Sequence, residues 1–347
     1  MQQIKTAVLS YGMSGKLFHT PFLKVHPGFQ FYAVWERSKN LAQQDYPDVK
    51  TYRTLDELLG DKDVELVIVN TPNYTHFNYA KKALEAGKHV IVEKPFVVKV
   101  EEGQELIAIA KEKDVLLTVY QNRRFDSDYR TIKRILKEEW LGEVVEAEFH
   151  FDRYKEELSP KVHKEVPGPG TGALYDLGSH IVDQALQLFG MPQAVFADIR
   201  IVRSVSQVDD YFEVLFYYPN LRVRLHSSYL VREPLPGYIL HGTKGSFIKE
   251  KTNQQEEALD KGLLPVGDDW GVEPQSQYGF LHTEQDGQLI QEHVVSEKGA
   301  YNDFFSAVYQ AVREGDVNPV PAEDGLAVIR IIEAAFLSNK EKRVVTL

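Results

Sequence analysis

The sequence predicts an α/β protein with two domains: a doubly wound parallel sheet, then an α+β domain with a large, mainly antiparallel open sheet. The chain has 347 residues, more than one hydrophobic core usually serves. Up to about residue 120, short apolar runs alternate with amphipathic helical stretches, which indicates parallel strands joined by helices. Beyond that point long strands follow one another with few helices, which favours antiparallel pairing. We therefore assign residues 1–121 to the first domain and 122–347 to the second.

Bulk composition excludes several classes of protein. Hydrophobic residues make up 43% of the chain and charged residues 26%, an ordinary balance for a globular protein. The formal net charge of -11 opposes binding to nucleic acid or to anionic membranes. The absence of cysteine excludes disulfides, thiolate metal sites and a cysteine nucleophile, and no transition-metal ligand spacing is visible, so no metal is expected. We expect a cytoplasmic protein, because the N-terminus enters a strand without a signal segment and no apolar stretch approaches the roughly 20 residues that span a bilayer.

The first domain is predicted from alternating strands and helices. The segment "VELVIVNTP" (64–72) is uniformly apolar before its polar end, as expected of a strand that is covered on both faces. The helix that follows ends at Gly87, a good C-terminal signal. The predicted strands are Ile4–Leu9, Phe29–Trp35, 64–72, His89–Val92 and Val115–Val119. One predicted helix follows the first turn and ends at about Lys24, and two more cover 78–87 and 101–113.

The second domain is predicted from long strands with few helices. Apolar and polar residues alternate along 221–231, which fits an antiparallel sheet with one solvated face. Residues 251–300 are polar and are assigned to no element, and the two C-terminal helices are expected to pack back on the first domain. The predicted strands are 143–154, 194–203, 210–218, 221–231 and 237–250, and the predicted helices are 126–138, 173–190, 301–315 and 323–342.

The turn after the first strand, "VLSYGMSGKLFH" (8–19), is a candidate dinucleotide-binding loop. Glycines at such a turn let the backbone approach a pyrophosphate, which rests on the N-terminus of the following helix. The pattern asks for glycine at positions 10, 12 and 15, and only the last two are present. The position of the loop between a strand and a helix strengthens this interpretation. The candidate cofactor-binding residues in it are Tyr11, Gly12, Met13, Ser14 and Gly15.

The end of the second strand gives contradictory signals about the cofactor. Glu36 could accept hydrogen bonds from a free ribose 2′-hydroxyl and would repel a 2′-phosphate, which favours NAD. Arg37 and Ser38 offer donors to that phosphate, which favours NADP. An exposed turn with charges that keep it hydrated explains the same residues. The choice between the two cofactors stays open at this point.

Three further strand ends carry polar residues at the edge of the parallel sheet where cofactors bind. "NTPNYTH" (70–76) is one, although a capped turn explains it equally well. "HVIVEKPF" (89–96) sets a lysine between an acid and a proline at the end of a buried strand. "YQNRRFD" (120–126) follows the last strand of the domain and is expected near that lysine. The candidate cofactor-binding residues at these ends are Thr71, Pro72, Asn73, His76, Glu93, Lys94, Asn122 and Arg123.

The segment "GALYDLGSHIVDQALQLFG" (172–190) carries a candidate acid–base pair. Asp176 and His180 are four residues apart on a predicted helix and so share a face. A carboxylate beside an imidazole fixes its tautomer and supports its protonated form, as a general base requires. Exposed helices often carry such a pair without function, but the rest of this helix is apolar, which suggests a cavity wall. Tyr154, His163 and Tyr175 are candidate sugar contacts.

These motifs together resemble the Gfo/Idh/MocA oxidoreductases. The resemblance rests on a Gly-Tyr-Gly-Met-type loop, "EKP" at a strand end, "NRRFD" and "DLGSH", and it extends over nearly the whole chain. "VYQNRRFDSDYRTIKR", "TGALYDLGSHIVDQALQLFGMP" and "VIRIIEAAFLSNKEKR" look like the branch that contains NADP-dependent scyllo-inositol dehydrogenase. Two positions depart from the family pattern: Ser10 replaces the first glycine, and Glu36 stands where NADP-using relatives tend to carry a small residue.

The resemblance implies a Rossmann domain followed by a largely antiparallel sheet, open on one face and used to form a homo-oligomer, either a dimer or a tetramer. It implies that Lys94, Asp176 and His180 form the catalytic group and contact the substrate, and that the peptide bond before Pro95 is cis. The expected activity is NAD(P)-dependent oxidation of a secondary alcohol of a cyclic polyol or sugar, or the reverse, with NADP as the expected cofactor and NAD as the alternative. The alternative hypotheses are a non-catalytic dinucleotide sensor and a dehydrogenase or reductase that acts on another sugar.

Overall fold

The structure, a computed structural model, describes residues 2–347 apart from the side chains of Val162 and His163. The chain forms two compact units, each built from several segments. The first comprises Met1–Asn122, Gln255–Trp270 and Ala300–Leu326, and the second comprises Arg123–Gln254, Gly271–Gly299 and Ala327–Leu347. Among the described residues, no helix combines the length and the apolar character that a bilayer crossing needs.

The first unit contains a six-stranded parallel sheet with the strand order β3-β2-β1-β4-β5-β6. The order reverses between β1 and β4, and ligands of such sheets bind at the carboxyl ends of the strands beside this switch point. The predicted doubly wound parallel sheet is therefore confirmed. Three short elements, α2, β3 and α3, were not predicted. The elements are β1 Ile4–Val8, α1 Thr20–Val25, β2 Phe29–Trp35, α2 Leu41–Asp45, β3 Lys50–Tyr52, α3 Leu55–Gly60, β4 Leu66–Val69, α4 His76–Glu85, β5 His89–Glu93, α5 Val100–Lys113 and β6 Leu117–Tyr120.

The remaining elements follow in chain order. They are α6 Ser127–Lys137, β7 Val144–His150, α7 Val162–Glu165, α8 Ser179–Phe189, β8 Ala194–Arg200, β9 Tyr211–Tyr217, β10 Arg222–Ser228, β11 Tyr238–Gly242, β12 Gly245–Lys249, α9 Gln254–Asp260, β13 Gly279–Gln285, β14 Gln288–Val294, α10 Tyr301–Glu314, α11 Ala322–Glu341 and β15 Val345–Thr346.

The second unit contains a nine-stranded sheet with the order β14-β13-β12-β11-β7-β10-β9-β8-β15. Neighbouring strands run antiparallel except β7 and β10, which run parallel. Along β9 buried and partly exposed residues alternate, so one face of the sheet lies in the core and the other stays open. Helix α8 covers the buried face, where Phe149 packs against Phe189 with 6.5 Å between ring centroids. The predicted mainly antiparallel open sheet is confirmed.

One prediction about the second half of the chain was wrong, and a segment that was assigned to no element is structured. Residues 237–250 are a hairpin of β11 and β12 rather than one strand, because the chain reverses at "GTKG" (242–245). A Cβ atom on Gly242 would lie 2.2 Å from the carbonyl oxygen of Leu141, so a side chain does not fit there. Residues 251–300 contain α9, β13 and β14, and the turn between these strands is Asp286-Gly287, with φ of 51° and 76°. Asp-Gly between two alternating segments is a strong hairpin signal in the sequence.

Candidate active site

The turn after β1 is closed by hydrogen bonds of Ser10. Its hydroxyl accepts a bond from the amide of Gly12 at 3.3 Å, and its carbonyl accepts one from the side chain of Asn70 at 2.8 Å. A Cβ atom on Gly15 would lie 2.1 Å from that carbonyl oxygen, so only glycine fits at position 15. The helix begins at Met13, and residues 15–19 form a π-helical turn. Serine at the first-glycine position is thus compatible with the turn, and the amides at the helix start form a cradle that fits a pyrophosphate.

Tyr11 contributes packing rather than a polar group to this loop. Its ring is 6% exposed and stacks on Phe31 with 6.3 Å between centroids. Its hydroxyl donates a hydrogen bond to Asp45 at 2.8 Å, and Asp45 also pairs with Lys16 at 2.8 Å. Burial and the carboxylate of Asp45 raise the pKa of Tyr11. The side chain therefore fastens the loop to α2, and only the main chain of Tyr11 is left to meet a ligand.

The carboxylate of Glu93 joins the end of β5 to the glycine-loop helix. One oxygen accepts hydrogen bonds from the hydroxyl of Ser14 at 2.5 Å and from the ring of His19 at 2.9 Å. The other oxygen accepts one from the backbone amide of Lys94 at 3.2 Å. Burial raises the pKa of Glu93, but the contact with His19 and the Ser14 bond outweigh it and lower the pKa to about 2. The peptide bond between Lys94 and Pro95 is cis, which confirms that implication.

The loop after β4 is fixed to the same strand end by His76. The imidazole is fully buried and lies between the carbonyl oxygen of Thr71 at 2.9 Å and that of Pro95 at 2.8 Å. Burial lowers the pKa of His76. Residues Asn73–Thr75 form a 3-10 turn that leads into α4. His76 thus acts as a bridge between two strand-end loops, a role that the sequence did not indicate.

The carboxylate of Glu36 binds backbone amides at the start of α2. It accepts hydrogen bonds from the amides of Leu41 at 3.0 Å and Ala42 at 3.2 Å, and the residue is 8% exposed. Arg53 fastens the same turn through a bond of 2.8 Å to the carbonyl oxygen of Glu36. Arg37 and Ser38 are exposed on the turn. The carboxylate of Glu36 is therefore bound by backbone amides of the protein, whereas the donor groups of Arg37 and Ser38 are accessible.

In the second unit, Asp176 and His180 lie at the N-terminal end of the α8 helix. Asp176 is in a π-helical turn, Leu174–Gly178, directly before it. The ammonium of Lys164 contacts both carboxylate oxygens of Asp176 at 2.9 Å. His180 is 5% exposed, and its ring lies 6.2 Å from that of Phe151 at the end of β7. The pair therefore borders the buried face of the sheet.

The candidate sugar contacts differ in their surroundings. Tyr175 stacks on Phe336 with 5.8 Å between ring centroids. Tyr154 is 40% exposed, and the guanidinium of Arg232 lies 4.1 Å from the centre of its ring. The side chain of His163 lies outside the described part of the chain.

The motif "NRRFD" (122–126) fastens α8 from one side. Arg124 donates two hydrogen bonds, of 2.7 and 2.6 Å, to the carboxylate of Asp183 on α8. The carbonyl oxygen of Arg123 accepts a bond from the side chain of Gln184 at 3.0 Å, and its guanidinium pairs with Asp126 at 2.9 Å. Asn122, the first residue of the motif, is 6% exposed. Arg123, predicted as a cofactor contact, has structural partners within the second unit, and the role of the motif in holding α8 was not visible in the sequence.

Asp209 holds the other side of the helix start and is not among the residues predicted from the sequence. Its carboxylate accepts a hydrogen bond from the amide of Leu174 at 2.9 Å, and its carbonyl oxygen accepts one from Ala173 at 2.7 Å. Gly172 has a φ of +96°, and a Cβ atom there would lie 1.9 Å from the Asp209 carboxylate. Burial raises the pKa of Asp209 to about 6. Gly172 was the available signal, because a glycine directly before a helix can mark such a close approach.

Comparisons with known proteins give a match for each half of the chain. A family model for the NAD-binding Rossmann fold of the GFO_IDH_MocA oxidoreductase family matches residues 4–121, and one for its C-terminal alpha/beta domain matches residues 133–347. The chain is 40% identical over 344 residues to scyllo-inositol 2-dehydrogenase (NADP(+)) IolW of Bacillus subtilis, covering 99% of this chain and 96% of the relative. A crystal structure from Bacteroides fragilis is 44% identical and superposes with a TM-score of 0.91 over 100% of both chains. An oxidoreductase structure from Bacillus cereus is 34% identical and has a TM-score of 0.91, covering 99% of this chain and 98% of that one.

Asp209 generates a prediction about pH. The folded chain favours the protonated form, since the pKa is about 6 in the fold against 3.8 ordinarily. The contribution of the group to stability is therefore complete below the ordinary pKa and is lost as the pH rises through 6, by about 3 kcal/mol for a shift of about two pKa units. Asp209→Asn keeps an acceptor for Leu174 and does not titrate, so its stability relative to the wild type should increase with pH over this window. The free energy of unfolding in urea, measured for both proteins across this pH range, tests the prediction. A difference between the two free energies that does not change with pH would contradict it.

Proposed function

Since the chain belongs to the Gfo/Idh/MocA oxidoreductase family, we propose that it transfers hydride between NADP and a secondary alcohol or ketone of a cyclic polyol or sugar, of the scyllo-inositol type. The observation that carries the choice of substrate is the 40% identity, over 99% of this chain, to a scyllo-inositol 2-dehydrogenase. The polar pair Asp176 and His180 at the start of a largely buried helix supports a site for a polar molecule against the buried face of the sheet.

The first unit would hold the dinucleotide. The amides at the start of the helix at Met13 suit a pyrophosphate, and the close contact of Gly15 with Ser10 keeps that surface free of side chains. When bound, the nicotinamide accepts or returns the hydride. The strand-end residues Thr71, Pro72, Asn73, Glu93, Lys94 and Asn122 are the further contacts that we propose, with Arg123 from the next turn.

The proposed acid–base group uses three side chains. His180 would take the hydroxyl proton of the substrate, and Asp176 would orient the imidazole. Lys94 would donate a hydrogen bond to the same substrate oxygen and stabilise its developing negative charge, most effectively where water is excluded. The ammonium of Lys164 lies 2.9 Å from both carboxylate oxygens of Asp176 and so balances the negative charge of this residue. Tyr175 and Tyr154 would contact the remaining hydroxyl groups of the substrate, and His163 belongs to the same proposal.

The surroundings of Glu36 support NADP rather than NAD. The carboxylate accepts bonds from the amides of Leu41 and Ala42, so it is already engaged with the protein's own backbone. A carboxylate that repels a 2′-phosphate has to face it, and this one is 8% exposed. Arg37 and Ser38 are exposed and can donate hydrogen bonds to the phosphate.

The open face of the nine-stranded sheet supports self-association. The strand register aligns five apolar side chains of the partly exposed face in one row, with Arg224 and Glu148 as an ion pair at its middle. A second copy would remove this apolar surface from water, and a face-to-face pair is self-complementary. The five side chains are Phe196, Leu215, Ile239, Ile248 and Phe280.

Substitution of the proposed acid–base group should abolish most activity. Lys94→Ala and His180→Ala should each lower kcat by about 10²–10⁴-fold, the usual worth of such groups. The nicotinamide absorbance, followed with cyclic polyols, linear polyols and aldoses, measures both turnover and substrate class. Lys111→Ala and His282→Ala remove exposed residues of the same types and should keep the kcat of the wild type. A folded Lys94 or His180 variant with near-normal turnover would remove these roles, while preference for a linear sugar would overturn only the substrate class.

Arg37→Ala should weaken NADPH binding about tenfold to hundredfold, because it removes a charge-assisted bond worth about 1.5–3 kcal/mol. NADH, which lacks the phosphate, should bind the variant and the wild type alike. Fluorescence titration with both reduced cofactors measures the two affinities, with Lys111→Ala as the matched loss of one positive charge. A wild type that prefers NADH more than tenfold would mean that Glu36 dominates.

Ile239→Glu and Ile248→Glu should dissociate the proposed oligomer, because each buries a carboxylate in the apolar row. Light scattering of the purified protein gives the mass in solution. We expect a dimer or tetramer for the wild type and a monomer for these variants, with Leu289→Glu, at the exposed edge strand β14, as the control that keeps the larger mass. A monomeric wild type at concentrations used for assay would contradict the proposal.

A further inference from the structure

Three metal-ligating side chains meet on the open face of the second sheet. The parallel pairing of β7 with β10 sets His150 beside His226. Asp152 follows His150 by two residues and so points to the same side of the chain. The nearest ligand atoms of the three side chains all lie within 4.8 Å of one another. We call His150, Asp152 and His226 the His150 cluster.

The His150 cluster is separate from the proposed substrate site. Phe149 and Phe151 alternate with its members along the chain and point to the opposite, buried face, where Phe151 lies 6.2 Å from the ring of His180. The cluster therefore lies on the opposite side of this sheet from His180. No step proposed above uses any of its three residues.

The spacing of the atoms fits coordination of one ion. Asp152 lies between the two rings, 3.0 Å from Nδ1 of His226 and 3.5 Å from Nδ1 of His150. Ligands at bond lengths of about 2.0–2.1 Å around a tetrahedral zinc ion are separated by about 3.3 Å. The two imidazole nitrogens, at most 4.8 Å apart, would have to approach each other by no more than about 1.5 Å to match that separation.

Both ring nitrogens that face Asp152 lack a hydrogen-bond partner within the described chain. They are Nδ1 of His150 and Nδ1 of His226, and both atoms are buried. They lie 3.0 Å (His226) and 3.5 Å (His150) from carboxylate oxygens of Asp152. The side chain of His150 is only 6% exposed and that of Asp152 only 3%. Buried polar atoms normally have partners, so two unpaired ring nitrogens beside one carboxylate fit a bound cation.

A second layer of contacts orients the cluster as in known metal sites. Nε2 of His150 lies 3.0 Å from the carboxylate of Glu148, which in turn pairs with Arg224 at 3.0 Å. A histidine that donates its outer N–H to a carboxylate presents its other nitrogen to a metal. The amide of Ser228 donates a bond of 3.0 Å to Asp152 and fixes that carboxylate.

The charges of the cluster suit a divalent cation. Burial raises the pKa of Asp152, but the neighbouring imidazoles of His150 and His226 outweigh it and lower the pKa to about 2, so the carboxylate is ionised at neutral pH. Burial lowers the pKa of His150, yet Asp152 and Glu148 outweigh it and raise that pKa, so the ring lies among groups that favour a positive charge.

We propose that His150, Asp152 and His226 form a binding site for a divalent transition-metal ion, for which Zn²⁺ is the best fit. The two imidazoles and one carboxylate supply three ligands, and water completes the tetrahedron. Nitrogen donors favour Zn²⁺ over Mg²⁺, which prefers oxygen ligands and keeps several waters. The ion would cross-link the end of β7 to β10, on the opposite side of the sheet from His180.

Isothermal titration of the chelator-treated, full-length protein with Zn²⁺ at neutral pH tests the site. We expect one ion per chain, a higher melting temperature with the ion bound and no competition from an excess of Mg²⁺. Asp152→Asn and His226→Gln should each weaken binding at least tenfold, since each removes a direct ligand. Glu148→Gln should weaken it about tenfold to hundredfold, the usual effect of a contact behind a ligand.

The exposed histidines of the same sheet provide a matched control. His293→Gln on β14 removes an imidazole outside the cluster and should leave the Zn²⁺ affinity unchanged. Circular dichroism without metal identifies any variant that fails to fold, and His226→Gln, with its ring 20% exposed, is the variant least disturbed by burial. Light scattering of the same samples separates metal binding from assembly. Equal affinity in the wild type and His226→Gln, or an equal loss in His293→Gln, would overturn the proposal in favour of a proton-bridged cluster with adventitious zinc.

Discussion

The first half of the proposed site depends on the partly buried carboxylate of Glu93. This group ends β5 and receives bonds from Ser14, His19 and the amide of Lys94, so the glycine-loop helix and the proposed catalytic lysine share one anion. A carboxylate with three donors around it stays ionised and fixed in direction. Displacement of the helix start would leave buried donors unpaired, and that cost makes the arrangement rigid. His76 adds a second link by joining the carbonyl oxygens of the two neighbouring loops.

The second half of the proposed site depends on polar contacts that hold the buried helix α8. Its start is held by Asp209, and its first turns are held through Asp183 and Gln184 by the two arginines of "NRRFD". Apolar packing alone would let α8 slide or rotate at small cost, whereas charge-assisted bonds have directions that define one register. A general base needs its position fixed to within a fraction of an ångström. The motifs that resemble an active site thus include residues that hold the helix rather than touch a substrate.

The sequence predicted most elements, since long apolar runs and capped helices are signals carried by neighbouring residues. The strand 64–72, with its helix ending at Gly87, is an example, since Leu66–Val69 is wholly buried and Gly87 has a φ of +72°. Contacts between distant segments were out of reach. Nothing near Glu36 in the sequence says that its carboxylate turns back to the amides of Leu41 and Ala42 rather than outward. The same limit hid the bonds of Glu93 to His19, residues that are 74 positions apart.

The expectation that the chain has no metal site rested on spacing, and spacing is informative only when ligands lie on one local element. His150 and His226 are 76 positions apart, and the parallel register of β7 with β10 alone makes them neighbours. The pleat then divides the end of β7 between the two proposed sites. Odd positions face α8 and line the wall at His180, whereas His150 and Asp152 face the open side. An ion bound by His150 and Asp152 would restrict the backbone of Phe151, which lies between them. Metal binding on the open face could then change the position of Phe151 on the buried face.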